Sequence, residues 1–155
     1  MIIEKRLEEL GIKLEESVAP IANYVAVQQA GDLLFLSGAG PVRGGRATMT
    51  GRLGEDLSME DARKAAREGA FNLTCALKSY LGDLDRVIQI VKLTGYVNCT
   101  PDFTAQPKVI DGASDFFVEV FGDRGRHARV AVGVSSLPLD TPVEVEIVVH
   151  IRQEA

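Results

Sequence analysis

His127-Ala-Arg129-Val-Ala-Val-Gly-Val-Ser-Ser-Leu-Pro138 and, after a short Leu-Asp-Thr-Pro connection, Val143-Glu-Val-Glu-Ile-Val-Val-His150 carry the pattern on which the fold turns. Both runs alternate with period two, as strands with two different faces do. In the first, Ala128, Val130, Val132 and Val134 form one face and Arg129, Ala131, Gly133 and Ser135 the other. The valine face is expected to meet a core. The opposite face sets one long cation above small residues, with room for something the size of a metabolite. In the second run Val143, Val145, Ile147 and Val149 take the core face, leaving Glu144, Glu146, Val148 and His150 opposite. A guanidinium and two carboxylates are then expected on one side of neighbouring strands. The plainer alternative is a solvated outer face, where a cross-strand Arg–Glu pair contributes well under ~1 kcal/mol. Ala131 and Gly133 lean towards a site, because exposed strand faces usually carry Thr, Lys or Glu.

Upstream of these strands, two helices are legible. Ser58-Met-Glu-Asp61 has the form of a capping box. It opens a helix whose Ala62, Ala65, Ala66, Gly69, Leu73, Ala76 and Leu77 recur at helical spacing until Gly82 stops it. Arg63, Lys64, Arg67 and Lys78 are assigned to its solvated side. Pro107 falls in the first turn of a second helix with Ile110, Ala113, Phe116, Phe117, Val120 and Phe121 as its buried stripe and Gly122 as its end. Between them, residues 85–98 are rich in β-branched side chains and read as a long central strand. Asn23–Gln28 and Leu33–Ser37 read as a hairpin across Ala30-Gly-Asp32, and residues 42–57 as a third short strand framed by loops. A short helix is expected over residues 2–10, on the outside of the domain. This order predicts an α+β fold, a two-layer sandwich with two helices on one face of a mixed β-sheet. The other face must be polar or covered by a second subunit, and Val148 with its small neighbours argues for an oligomer.

At 155 residues the chain fits one domain, divided into an N-terminal helix and lead-in over 1–19 and a core over 20–151. A domain of this size buries about 70% of its unfolded surface. A formal net charge of −5 argues against a nucleic-acid backbone as the main partner. No run of about 18 apolar residues suggests a membrane span, and the charged start Ile2-Ile-Glu-Lys-Arg6 is unlike a signal peptide. Cys75 and Cys99 have neither CxxC nor His spacing and read as free thiols in a reducing compartment. A cytoplasmic protein is expected. His127 and His150 flank the strands without a metal-ligand constellation and receive no role.

Taken together, Leu36-Ser37-Gly38-x-Gly-Pro41, Tyr24, Ala128-Arg129-x-Ala-Val-x-Val, Leu137-Pro138 and Val143-Glu-Val-Glu146 resemble the RidA/YjgF family of reactive-intermediate deaminases over residues 20–151. The resemblance implies a chorismate-mutase-like fold, a homotrimer with sheets facing inward, and three sites between subunits. It implies hydrolysis of enamines and imines such as 2-aminoacrylate to a 2-oxo acid and ammonia. By position, Arg129 matches the carboxylate-binding arginine and Glu144 the acid that handles the attacking water, with Glu146 a competing assignment. Tyr24, Ser37 and Gly38 match pocket residues, Tyr24 reaching a neighbour's site. No metal or organic cofactor is implied, since an imine is already electrophilic. The chain departs from the family pattern at Ala131, where a cysteine is common, and at Ala39, where a glutamine is. Ile110 or Asp111 stands near a frequent asparagine. A non-catalytic trimer that binds small carboxylates or a protein partner is the alternative function. An endoribonuclease, a label members of the family carry, is disfavoured by the acidic balance.

Overall fold

The computed structural model describes residues 1–154. Its central layer is a five-stranded sheet in the order β1-β2-β7-β5-β6. The strands are β1 (Val27–Ala30), β2 (Leu33–Leu36), β5 (Val87–Asn98), β6 (Ala128–Val134) and β7 (Val143–Ile151). β5 pairs parallel with β6 and antiparallel with β7, so the sheet is mixed. Helices α2 (Met59–Leu81) and α3 (Gln106–Phe121) pack together on one face of it, and α1 (Ile2–Glu9) lies outside them. The expected α+β two-layer architecture is the one observed.

Local chemistry accounts for the elements. Ser58 caps α2, its hydroxyl accepting from the Asp61 amide at 3.1 Å, and satisfies one of the amides that open every helix. The small stripe of α2 lets it approach the sheet and α3 closely. A Cβ on Gly69 would stand 2.9 Å from a Val145 methyl, and one on Gly112 of α3 would strike the Arg63 carbonyl. All six residues assigned to the buried stripe of α3 are buried. Asp85 caps α1 from a distance, accepting the Ile2 and Ile3 amides at 2.8 and 2.9 Å.

Three expectations about strands need correction. The first strand begins at Val27 and not at Asn23, because residues 21–24 form bends. The glycine-rich stretch 42–57 supplies no third sheet strand. It folds as a separate ribbon of β3 (Val42–Arg43) and β4 (Arg46–Ala47), each only two residues long. The third correction concerns β6. Its register sets Arg129 beside Leu93, which in turn faces Ile147 of β7. Residues opposite one another across a ladder share a face, so Arg129 and Ala131 lie on the helix side. Val130 and Val132, expected in the core, are 41% and 40% exposed on the open side. The small residues of β6 make way for other side chains and not for a metabolite: a Cβ on Gly133 would stand 2.7 Å from Gln106 Nε2 and 2.8 Å from Cys99 Sγ.

β7 keeps its expected faces, with Val143, Val145, Ile147 and Val149 all buried. Between it and β6 runs β5, so the strands of Arg129 and Glu144 are not neighbours. The connection from β6 to β7 crosses the end of β5, where buried Asn98 holds it. The Asn98 amide donates to the Pro142 carbonyl at 2.9 Å, and its Nδ2 to the Thr141 carbonyl at 3.3 Å.

Candidate functional site

The sequence-derived site residues fall into two groups on opposite faces of the sheet. On the open face, Glu144 of β7 rises beside Gly38. A Cβ there would meet the Glu144 carboxyl carbon at 2.9 Å, so only glycine lets this carboxylate lie against the backbone. Ala39 and Val145 exchange backbone hydrogen bonds at 2.8 Å in both directions, and this fixes the approach. Ser37, one residue earlier, donates its hydroxyl to the Val25 carbonyl at 2.6 Å and thereby ties down the lead-in. Burial, and then the charge of Glu146, push the Glu144 carboxyl above the usual carboxylate range. Its twin Glu146 is engaged: Tyr96 of β5 donates its hydroxyl to Glu146 Oε1 at 3.0 Å. That hydrogen bond is the first cause of the raised Tyr96 pKa. Among the described residues none donates a hydrogen bond to the Glu144 carboxylate.

On the helix face, Arg129 of β6 is held by α3. Its Nη1 donates to Asp111 Oδ1 at 2.8 Å and to Ser114 Oγ at 3.1 Å, and its Nη2 to the Pro107 carbonyl at 3.2 Å. Of five guanidinium hydrogens, Nε–H and one on Nη2 are left. Arg129 is therefore a fixed fork, still able to offer two donors to one carboxylate.

His127 adds a contact that the sequence did not suggest. Its Nδ1 lies 2.6 Å from the Gly125 carbonyl, which can only accept, so Nδ1 carries the proton. Nε2 then accepts from the Ser114 hydroxyl at 2.8 Å. The result is a one-directional chain of donors: Arg129 to Ser114, Ser114 to His127, His127 to Gly125. Burial lowers the His127 pKa, as does the Arg129 charge, against the opposing hydrogen bond to Gly125. A Ser114–His127 pair separated by a turn leaves no spacing signal, and only the α3–β6 register could have found it.

Tyr24 stands apart from both groups, 60% exposed. Its ring lines a cleft of about 430 Å³ with Val18, Pro20, Ala76 and Tyr80, between the lead-in and α2. Among the described residues, the carboxylate grouping that could hold a metal ion is Glu4, Asp83 and Asp85. Glu4 Oε1 already accepts from Lys78 Nζ at 2.9 Å and the Leu84 amide at 3.0 Å, beside the α1 cap formed by Asp85, while Glu4 Oε2 is buried without a partner among the described residues. His150 pairs with Asp32 at 2.9 Å at the far end of β7. No helix of the described residues is long and apolar enough to cross a membrane.

Comparison with known proteins adds context to this geometry. Residues 4–151 match the family described as YjgF/chorismate mutase-like, putative endoribonuclease. Protein TCP17 of Trypanosoma cruzi is 43% identical over 97% of this chain and 94% of its own length. Among solved structures, the protein Atu1372 from Agrobacterium tumefaciens is 41% identical with a TM-score of 0.89, covering 97% of this chain and 93% of that one. A putative endoribonuclease from Shewanella oneidensis is 32% identical with a TM-score of 0.91, covering 97% of this chain and 100% of that one.

Proposed function

The chain belongs to the YjgF/chorismate mutase-like, putative endoribonuclease family, and from that premise we propose that it hydrolyses reactive imines of the 2-aminoacrylate/2-iminopropanoate type to 2-oxo acids and ammonia. The observation that carries this reading is the division of the site. Glu144, Gly38 and Ser37 lie on the open face and Arg129 on the helix face, so each subunit holds half of the chemistry and a neighbour supplies the rest. Phe35, Val130 and Val132, exposed on the open face, are suited to bury against other subunits of a homotrimer. Tyr24 would then reach the neighbouring site from its exposed lead-in.

In this mechanism the Nε–H and Nη2–H of Arg129 grip the substrate carboxylate and aim the imine carbon at Glu144. The Glu144 carboxylate, made more basic by burial, takes a proton from water as the oxygen bonds to that carbon. That proton passes to nitrogen, giving a carbinolamine. Glu144 then takes the hydroxyl proton and relays it to the amino group, so that the C–N bond breaks and ammonia leaves as the carbonyl forms. Glu146, tied to Tyr96, supplies the negative charge that helps keep Glu144 basic. No cofactor enters the steps, because the imine is already an electrophile and positioning with proton transfer suffices. The free, buried Cys75 and Cys99 fit a reducing compartment, and the cytoplasm is the location this reading assigns.

A second reading has its own observation. Asp111 already neutralises Arg129 at 2.8 Å, which favours a non-catalytic trimer that holds small carboxylates or a protein partner through the remaining donors. The experiment that separates them follows 2-iminopropanoate, generated in situ by a dehydratase, as loss of semicarbazide trapping. The deaminase reading expects faster loss with the wild-type protein and not with Arg129→Ala. No acceleration by a folded wild-type trimer would leave the binder.

A further inference from the structure

Pro107, Asp111 and Ser114 follow one another along α3 at spacings of four and three, so they form one stripe of the helix, and all three contact Arg129. The Asp111 carboxylate and the Pro107 carbonyl can only accept, and need nothing further to hold a guanidinium. Ser114 differs, because a hydroxyl can both donate and accept. A serine or threonine inside a helix commonly turns its hydrogen to the carbonyl four residues back. Thr74 of α2 does so, bonding the Ala70 carbonyl at 2.9 Å. Among the described residues Ser114 makes no such bond to Ile110; its hydroxyl oxygen lies 3.1 Å from Arg129 Nη1 and 2.8 Å from His127 Nε2.

His127 is held in turn by the connection that follows α3. The turn Gly122–Gly125 packs so closely on the helix that a Cβ on Gly125 would strike the Phe117 carbonyl. Glycine there brings its own carbonyl to His127 Nδ1. Phe117 sets the other side, its ring edge-on to the imidazole with centroids 6.1 Å apart and planes at 80°. With Nδ1–H bonded to Gly125, Nε2 takes the Ser114 hydrogen and leaves the serine lone pairs to Arg129. Arginine only donates and a carbonyl only accepts, so both ends of the chain fix the same direction. Without such bracing an arginine side chain has much rotamer freedom to lose when a ligand fixes it.

We propose that Ser114 and His127 are positioning residues for Arg129: together they hold Nη1 so that Nε–H and the free hydrogen of Nη2 meet a ligand carboxylate already ordered. This rests on the reading that Arg129 grips a carboxylate, which the deaminase and the carboxylate binder share. Neither residue is placed at the reacting atoms, so losing either one weakens the grip and spares the bond-breaking steps.

The test compares Ser114→Ala, Ser114→Thr and His127→Phe, the last of which keeps a ring against Phe117. In the ligand-free protein the Nη1 protons of Arg129, followed by NMR, should exchange with water about tenfold faster in Ser114→Ala and His127→Phe than in wild type, as loss of one hydrogen bond allows. Both variants should raise KM for 2-iminopropanoate about tenfold while kcat stays within about twofold. Ser114→Thr should keep the wild-type KM, and the double variant Ser114→Ala/His127→Phe should be no worse than its parents, because both act through one link. Calorimetry with pyruvate should show the same weakening. If the wild type binds pyruvate but hydrolyses no imine, the reaction proposed above fails, while faster exchange and weaker pyruvate binding in the variants still sustain the positioning role. Unchanged Nη1 exchange in both variants would overturn it, as would additive KM effects, a fall in kcat at constant KM, or variants that lose only thermal stability. A wild type that binds no pyruvate and turns over no imine would overturn it through its premise.

Discussion

β7 and β6 share a period of two, yet the alternation has opposite meanings in them. β7 lies between β2 and β5 with α2 above it, and its Val143, Val145, Ile147 and Val149 point where the larger apolar side chains are expected, into the core. β6 is the edge strand beneath the N-terminal half of α3. There the helix side is taken by Arg129, Ala131 and Gly133, while the valines are left open. A strand's alternation separates two faces but does not say which one is covered. On β7 the opposite face is charged and the choice is forced. On β6 a face of valines competes with a face of small residues plus one arginine, and three polar partners on α3 decide it. The consequence for function is direct, because this inversion puts the guanidinium and the carboxylate on different sides of one sheet.

The strongest way to break the comparison is to place a charge on each strand. Val145→Asp should prevent folding, since an unpaired buried carboxylate costs several kcal/mol against a total stability of about 5–15 kcal/mol. Val132→Asp should leave the monomer's fold within about 0.5 kcal/mol of wild type by chemical denaturation, while sedimentation should show the proposed trimer falling apart. A Val132→Asp chain that fails to fold would restore the valine face to the core.

Next in size is the chemistry. Glu144→Gln should lower turnover by about 10²- to 10⁴-fold, as removal of a general acid–base group does, with KM for the imine nearly unchanged. Glu146→Gln should retain most of the activity, because its carboxylate is engaged by Tyr96. Steady-state rates of both variants distinguish the two glutamates.

Packing under α3 is a smaller matter. Gly133→Val should destabilise by about 1–3 kcal/mol by pressing on Gln106 and Cys99, measurable as a lowered denaturant midpoint. An unchanged midpoint would mean that this side of β6 has space after all.

The smallest effect is expected from His127, and its sign can be worked out. Its folded pKa lies below the ordinary histidine value near about 6.5, so the folded state binds this proton less readily than the unfolded chain. The stability it contributes is present above the unfolded pKa and is lost as pH falls through that region towards the depressed folded value. Protonation also turns Nε2 into a donor, which reverses its bond with Ser114, so that the Ser114 hydroxyl must accept from both His127 and Arg129. Thermal unfolding from pH 7.5 to 5 should therefore decline more steeply in wild type than in His127→Gln, and the imine KM should rise over the same range.

Much of this was legible in the chain. Ser58, the alanine stripe of α2, Pro107 and the α3 apolar stripe each state their role locally, through capping, helical spacing or a fixed backbone angle. The two layers and the mixed sheet follow from them. Glu144 beside Gly38 was legible only as a resemblance, since close approach of a side chain to a glycine depends on the Ala39–Val145 pairing. The face of β6 was not legible, because a parallel edge strand takes its register from β5 and its cover from α3, both distant in sequence. The Arg129–Asp111, Ser114–His127 and Tyr96–Glu146 contacts were hidden for the same reason. The ribbon over 42–47 was misread because glycine and arginine stretches state where the chain turns and not what it pairs with.

The central claim, that each site takes Arg129 from one subunit and Glu144 from another, is tested most directly by mixing two inactive variants. Arg129→Ala and Glu144→Gln chains, unfolded together and refolded at equal ratio, should regain imine hydrolysis that neither has alone. Random mixing in a trimer restores about a quarter of the sites when each is built from two neighbours. Mixed trimers that assemble, as shown by native mass spectrometry, and yet remain inactive would contradict the account.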